Sequence, residues 1–170
     1  IYSGSAVQFE ARPAWVLSGC IYDLQTNGIT GGRVWTRSSE NGSWDNVTQV
    51  NLAGAYALLL TNGIYQVGTA DFGQSGYCDK TLPDAVTIAG QNLSGVNIYL
   101  DSGVDISGRV YAGGNPQINI SVQALVVATN QNGDWNVQGV AGANTDENGD
   151  YHLTVPPGGT YYIRVQPSNP

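Results

Sequence analysis

Residues 145–165 read TDENGDYHLTVPPGGTYYIRV. Asp146-Glu147-Asn148-Gly149 is a turn. Asp150-Tyr151-His152-Leu153-Thr154-Val155 alternates polar and apolar residues, which puts Tyr151, Leu153 and Val155 on one face of a strand. Pro156-Pro157-Gly158-Gly159 breaks the pattern. Tyr161, Ile163 and Val165 then alternate with Tyr162 and Arg164. Two strands with one apolar face each, joined by tight turns, are the building unit of a small antiparallel sandwich.

The same grammar runs through the chain. Strands are predicted over residues 15–22, 32–36, 47–52, 55–60, 64–70, 86–89 and 96–100, then over 106–111, 118–128, 135–140 and the two strands just read. Turn residues separate them, Thr26-Asn27-Gly28 and Thr61-Asn62-Gly63 among them. No stretch keeps a 3.6-residue apolar period, and 23 glycines disfavour helices. The fold class is all-β: two tandem Ig-like antiparallel sandwiches preceded by a strand. The expected bounds are 1–13 for the strand and its linker, 14–101 for the first sandwich and 102–170 for the second.

The two units are repeats. Leu17-Ser18-Gly19-Cys20-Ile21-Tyr22 matches Ile106-Ser107-Gly108-Arg109-Val110-Tyr111, and Gly54-Ala55-Tyr56-Ala57-Leu58 matches Gly149-Asp150-Tyr151-His152-Leu153. Asn62-Gly63-Ile64-Tyr65-Gln66-Val67 matches Gly158-Gly159-Thr160-Tyr161-Tyr162-Ile163. The pattern in the second unit (Gly108, Tyr111, Thr145, Asp146, Gly149, Tyr151, Pro157, Gly159, Tyr161) resembles the carboxypeptidase regulatory-like, or transthyretin-like, β-sandwich family. It also resembles the B-type repeats of bacterial surface adhesins. The resemblance covers residues 15–170 and is weak in the first unit. It implies Ig-like sandwiches of about seven strands, used as stalks, spacers and assembly modules without catalysis.

The repeats end differently. After Tyr65 the first unit continues through residues 86–89 and 96–100, whereas few residues follow Tyr161. The second sandwich is therefore expected to lack its last strand, which exposes core and unpaired backbone. Residues 1–10, IYSGSAVQFE, alternate, with Ile1, Ser3, Ser5, Val7 and Phe9 on one face. Ala11-Arg12-Pro13 then interrupts the pattern. These residues are expected to act as a donor strand. The acceptor groove is formed by Tyr151, Leu153, Val155, Tyr161, Ile163 and Val165 of the next subunit, giving a head-to-tail homopolymer. The alternatives are that the strand serves its own chain, or that the chain is a piece of a longer surface protein.

Composition points outside the cell. The sequence starts at Ile1 and contains no methionine, as a processed secreted chain would. Cys20 and Cys78 are expected to form a disulfide closing a loop of about 58 residues, worth up to roughly 4 kcal/mol; two buried thiols are the alternative. Asn41, Asn46, Asn92 and Asn119 each begin a sequon, so N-linked glycans are expected partners. Net charge is −7 with 11% charged residues, against a usual value of about 25%, and the six basic residues form no cluster; nucleic acid is not an expected partner. No run of 18 apolar residues would span a membrane.

No catalytic constellation is visible. His152 is the one histidine and has no Ser or Cys elbow beside it. No cofactor is expected: residues 146–150 resemble a calcium loop only superficially, lacking the glycine and closing glutamate at the required spacing. Trp35, Trp44 and Trp135 raise a second reading, a carbohydrate-binding or spacer module of a larger adhesin, in which coplanar indoles would stack on sugar rings. A Lys–Asn crosslink of the kind found in some related repeats would have to use Lys80.

Overall fold

A computed structural model describes residues 12–129 and 133–166. The described chain is all β apart from one short 3-10 turn, Phe72–Ser75. The strands fall into two sets. The first is β1 (Trp15–Tyr22), β2 (Arg33–Ser38), β3 (Trp44–Gln49), β4 (Ala55–Leu60), β5 (Gly63–Ala70), β6 (Val86–Ile88) and β7 (Ile98–Tyr99). The second is β8 (Val104–Arg109), β9 (Tyr111–Ala112), β10 (Asn115–Pro116), β11 (Ser121–Thr129), β12 (Trp135–Asn144), β13 (Asp150–Val155) and β14 (Tyr162–Gln166).

In the first half, one sheet has the order β4-β1-β7 and the other β3-β2-β5-β6. In the second half the sheets are β13-β8 and β12-β11-β14, with β9 and β10 as a small hairpin. The duplication seen in the sequence is therefore a duplication of pairing. Gly19 faces Tyr56 across β1 and β4, and Gly108 faces Tyr151 across β8 and β13. Among the described residues, β6 and β7 have no counterpart in the second half.

Turn chemistry is duplicated as well. Asn51 Oδ1 accepts the backbone N–H groups of Ala53 (2.9 Å) and Ala55 (3.0 Å), ahead of Gly54 at φ 77°. Asp146 Oδ1 accepts those of Asn148 (2.8 Å) and Asp150 (2.9 Å), ahead of Gly149 at φ 78°. A side-chain oxygen holding the turn and a glycine taking the left-handed residue give the same tight connection into β4 and into β13.

The cores differ in size. Leu17, Ile21, Val34, Leu58, Val67, Phe72, Ile98 and Leu100 are among fourteen residues buried together in the first half. The buried cluster of the second half has four, Val122, Ala124, Leu153 and Val155. Two of the fourteen, Ile98 and Leu100, come from the closing segment 92–100, which lies along β1. Leu93 N–H donates to the Val16 carbonyl (2.8 Å), Val96 N–H to Ser18 (3.1 Å) and Leu100 N–H to Tyr22 (2.8 Å). Ile21 and Tyr22 pair in parallel with Ile98 and Tyr99. The halves also touch: Thr154 Oγ1 donates to the Gly73 carbonyl (2.7 Å), and Gly103 N–H to Gly76 (2.9 Å).

Some boundaries differ from the sequence reading. The strand expected over 47–52 starts and ends earlier, at Trp44 and Gln49, because Trp44 already pairs with Arg37 across an irregularity in β2 and β3. The turn at residues 113–116 is tight enough for Asn115 and Pro116 to pair back onto Tyr111 and Ala112. Residues 1–11 lie outside the described residues, and with them the whole expected donor face of Ile1, Ser3, Ser5, Val7 and Phe9.

Ile98 is fully buried on a two-residue strand held only at the edge of β1. Replacing Ile98 by Ala should lower unfolding free energy by about 2–5 kcal/mol. Chemical denaturation followed by tryptophan fluorescence measures this directly.

Candidate functional site

The second half presents an open side built from β8, β13 and β14. Leu153 and Val155 of β13 are buried, and Tyr151 is half-buried. Tyr161 lies just before β14, half-buried, with its hydroxyl donating to the Pro156 carbonyl. Ile163 pairs with Ala124 and Val165 with Val122. Directly opposed residues of an antiparallel pair project to the same face. Ala124 and Val122 are fully buried, so Ile163 and Val165 also point inward.

They are nevertheless exposed, Ile163 at 38% and Val165 at 44%. Their equivalents on β5, Val67 and Thr69, are at 0% and 4%. Among the described residues the inward face of β14 is thus partly uncovered where that of β5 is buried. Of the six expected groove residues, Leu153 and Val155 are buried on β13, Tyr151 and Tyr161 are half-buried, and Ile163 and Val165 are exposed on β14. Apolar groups of this kind gain ~25 cal/mol per Å² when water is removed from them.

The outer edge of β8 has the same character. On β1 the equivalent edge receives the closing segment, which also sends Asn92 Oδ1 to Val16 N–H (2.9 Å) and Asn97 Oδ1 to Cys20 N–H (3.0 Å). Among the described residues β8 has β13 as its only strand neighbour. The polar face of this pair is knitted by side-chain contacts. Arg109 grips Asp150 through both carboxylate oxygens (2.5 and 2.7 Å), and His152 Nε2 lies 3.1 Å from Asp105 Oδ1. The Arg109 guanidinium holds the Asp150 carboxyl below the usual aspartate range.

The other sequence-derived sites are scattered. Cys20 and Cys78 are both free thiols, so the expected disulfide is not formed. Cys20 lies within β1, whereas Cys78 sits where residues 76–78 meet 101–103, with burial pushing its thiol above the ordinary range. Spacing alone said nothing of their separation. Lys80 Nζ donates to the Tyr99 carbonyl (2.9 Å) and meets Asp101 (3.3 Å), which occupies the amine a Lys–Asn crosslink would have to use. Trp35 and Trp44 meet edge to face, 4.9 Å apart at 68°, and Trp35 Nε1 donates to the Thr69 carbonyl. They form no flat sugar platform, and Trp135 lies alone on β12 of the other half.

A cleft of about 500 Å³ between the halves is lined by Asp71, Asp79, Asp146, Asp150, His152 and Thr154. Its carboxylates are engaged. Asp71 pairs with Arg33, Asp79 accepts the N–H groups of Asp71 and Phe72, Asp146 holds its turn and Asp150 holds Arg109. Among the described residues no three His, Cys, Asp or Glu side chains gather as a metal site, and no helix is long and apolar enough to cross a membrane.

The sequons differ in their amide nitrogens. Asn41, Asn92 and Asn119 are exposed. Asn41 and Asn92 use their side-chain oxygens as acceptors, as does Asn119 towards Asn144. Asn46 is half-buried, and its Nδ2 donates to the Leu59 carbonyl (3.0 Å).

No protein-family model and no curated protein matches the sequence. Among solved structures, a streptococcal ancillary pilin matches with a TM-score of 0.43 at 12% identity, covering 91% of this chain and 54% of that one. The Bacillus anthracis TIE protein matches at 0.45 and 17%, covering 90% and 28%. The major pilin subunit of Bacillus cereus matches at 0.45 and 11%, covering 92% and 65%. This chain thus spans about half of the ancillary pilin and under a third of the TIE protein. At these scores no function is transferred, and the narrower transthyretin-like assignment gains nothing from the likeness.

Two outcomes follow from this geometry. Mapping by mass spectrometry of the glycosylated protein should find sugar on Asn41, Asn92 and Asn119 and none on Asn46, whose nitrogen is committed. Asp150, with its native pKa depressed, contributes stability that is present above the unfolded aspartate value of about 3.9 and lost as pH falls towards the native value. Asp150→Asn should remove that share of the acid destabilisation; a thermal-shift series from pH 6 to 2 on both proteins reads the difference.

Proposed function

We propose that this chain is a structural subunit of an extracellular, pilus-like filament. Residues 14–101 and 102–170 are its two Ig-like sandwiches, and residues 1–10 are a strand inserted into the second sandwich of the next copy. The subunit is no enzyme, and its partner is its own kind. One observation carries this: among the described residues β6 and β7 have no counterpart in the second half, and the inward Ile163 and Val165 are exposed where Val67 and Thr69 are buried. Covering that face with a strand satisfies an edge as well as a core. The contact joins unlike ends, so it propagates instead of closing as a two-fold dimer does.

Low charge and the exposed sequons suit a fibre surface bathed in an external medium. The platform needed for the carbohydrate-binding reading is not formed by Trp35 and Trp44, which stand edge to face. Purified protein should form regular fibres in negative-stain electron microscopy, and deletion of residues 1–10 should abolish them. Fibres of unchanged form from the deletion variant would falsify strand exchange.

A further inference from the structure

Strand insertion leaves three things open: the edge that receives the strand, its direction and its register. The first half contains a covalently attached version of the same event. Its closing segment runs parallel to β1 and turns Leu93 and Val96 partly inward and Ile98 and Leu100 fully inward. Leu93 and Val96 share a face although three residues apart, because Gly95 at φ 77° shifts the alternation by one.

Residues 93–100 read LSGVNIYL and residues 2–9 read YSGSAVQF. Both have Ser-Gly at the second and third places and large apolar residues at the sixth and eighth, Ile98 and Leu100 against Val7 and Phe9. We infer that residues 2–9 of one copy pair in parallel with β8 of the next, in the register in which 93–100 pairs with β1. Val7 and Phe9 take the places of Ile98 and Leu100, Gly4 that of Gly95, and Ser5 that of Val96. This rests on the strand-exchange reading above and fixes its geometry.

A second observation supports the same register. The Val96 carbonyl lies so close over Gly19 that a Cβ there would be 2.0 Å from its oxygen. The Tyr56 hydroxyl donates to that carbonyl at 2.6 Å. In the second half Gly108 and Tyr151 hold the same positions, paired across β8 and β13. The Tyr151 hydroxyl leans over Gly108, 2.7 Å from where a Cβ would be, and has no hydrogen bond among the described residues. A bare glycine beside a tyrosine hydroxyl is a carbonyl site on β1. The same pair on β8 takes the carbonyl of Ser5.

The register changes which donor residues matter. Plain alternation turns Ile1, Ser3, Ser5, Val7 and Phe9 inward together. With the shift at Gly4, Tyr2 turns inward as Leu93 does, while Ile1 and Ser3 take the exposed places of Asn92 and Ser94. Burying a hydroxyl at Ser3 is thereby avoided.

Single substitutions in the full-length chain, with fibres scored by electron microscopy and sedimentation, test this. Val7→Asp and Phe9→Asp should abolish fibres. Gly4→Val should do so too, because a β-branched residue is strained at positive φ. Ile1→Asp should leave fibre yield unchanged. Tyr151→Phe should weaken assembly by about two- to tenfold, the effect of one neutral hydrogen bond. The denaturation transition of the first half serves as the folding control for each variant. If Ile1→Asp abolishes fibres as Val7→Asp does and Gly4→Val assembles normally, strand exchange stands and this register is overturned. If Val7→Asp and Phe9→Asp assemble like the wild type, strand exchange itself fails.

Discussion

The structure depends on what happens at the outer edge of one strand per half. A β-strand in the middle of a sheet spends its N–H and C=O groups on two neighbours, and a buried group without a partner is costly. On β1 the second neighbour is the segment 92–100, joined by backbone bonds at Val16, Ser18 and Tyr22. Asparagine side chains cover Val16 N–H and Cys20 N–H where the segment kinks away. That single pairing places Ile98 and Leu100 between the sheets and so completes the first core. By the same register, the groups of Asp105, Ser107 and Arg109 on β8 face away from β13. The first half shows what such an edge is built to hold.

An open edge needs protection until it is used. Long, flat apolar edges aggregate, and charged groups are the common deterrent. On β8 and β13 the polar face carries Asp105 with His152 and Arg109 with Asp150. Arg109 additionally stacks near the Tyr111 ring, 5.9 Å from its centroid. The charges leave one face of the pair available and make the other unattractive to a random strand. Specificity then comes from the narrow set of strands that also satisfy Tyr151 and Gly108.

Much of this was legible in the sequence, for identifiable reasons. β1, β4 and β13 have the limits that alternation and turn residues assign them, because each is bounded by a glycine, asparagine or proline turn whose chemistry is local. The duplication was legible because Gly19 and Gly108, and Tyr56 and Tyr151, sit in matching motifs, and the structure pairs them identically. Asn51 was read as part of a strand over 47–52, although Asn-x-x-Gly before β4 and Asp-x-x-Gly before β13 carry the same turn. What was not legible is long-range. Two cysteines in a sequence say nothing of the distance between them, and Cys20 and Cys78 remain free. Three tryptophans say nothing of the angle between their planes. Periodicity reports which way a side chain points, not what covers it: Val67 and Ile163 look alike in sequence and differ from 0% to 38% exposed.

In the proposed fibre the asymmetry between the halves decides the form of assembly. A subunit with two closed sandwiches would have no reason to associate, and one with two open sandwiches would need two donors. One closed and one open sandwich with one donor leaves each copy one strand to give and one edge to fill. Such a contact is between unlike surfaces and extends along a line unless its rotation closes a ring. It also couples folding to assembly, because a strand that binds the folded second half stabilises it by mass action. The first half escapes this dependence, since its closing strand is covalently attached and present at fixed effective concentration. In the proposed fibre the first sandwich is a permanently folded spacer, and the second becomes equally complete only when a neighbour arrives. In the proposed register Phe9 takes the place of Leu100. A larger apolar side chain on the donor than on the attached strand adds buried area where the link is non-covalent and has to resist dissociation through contacts alone.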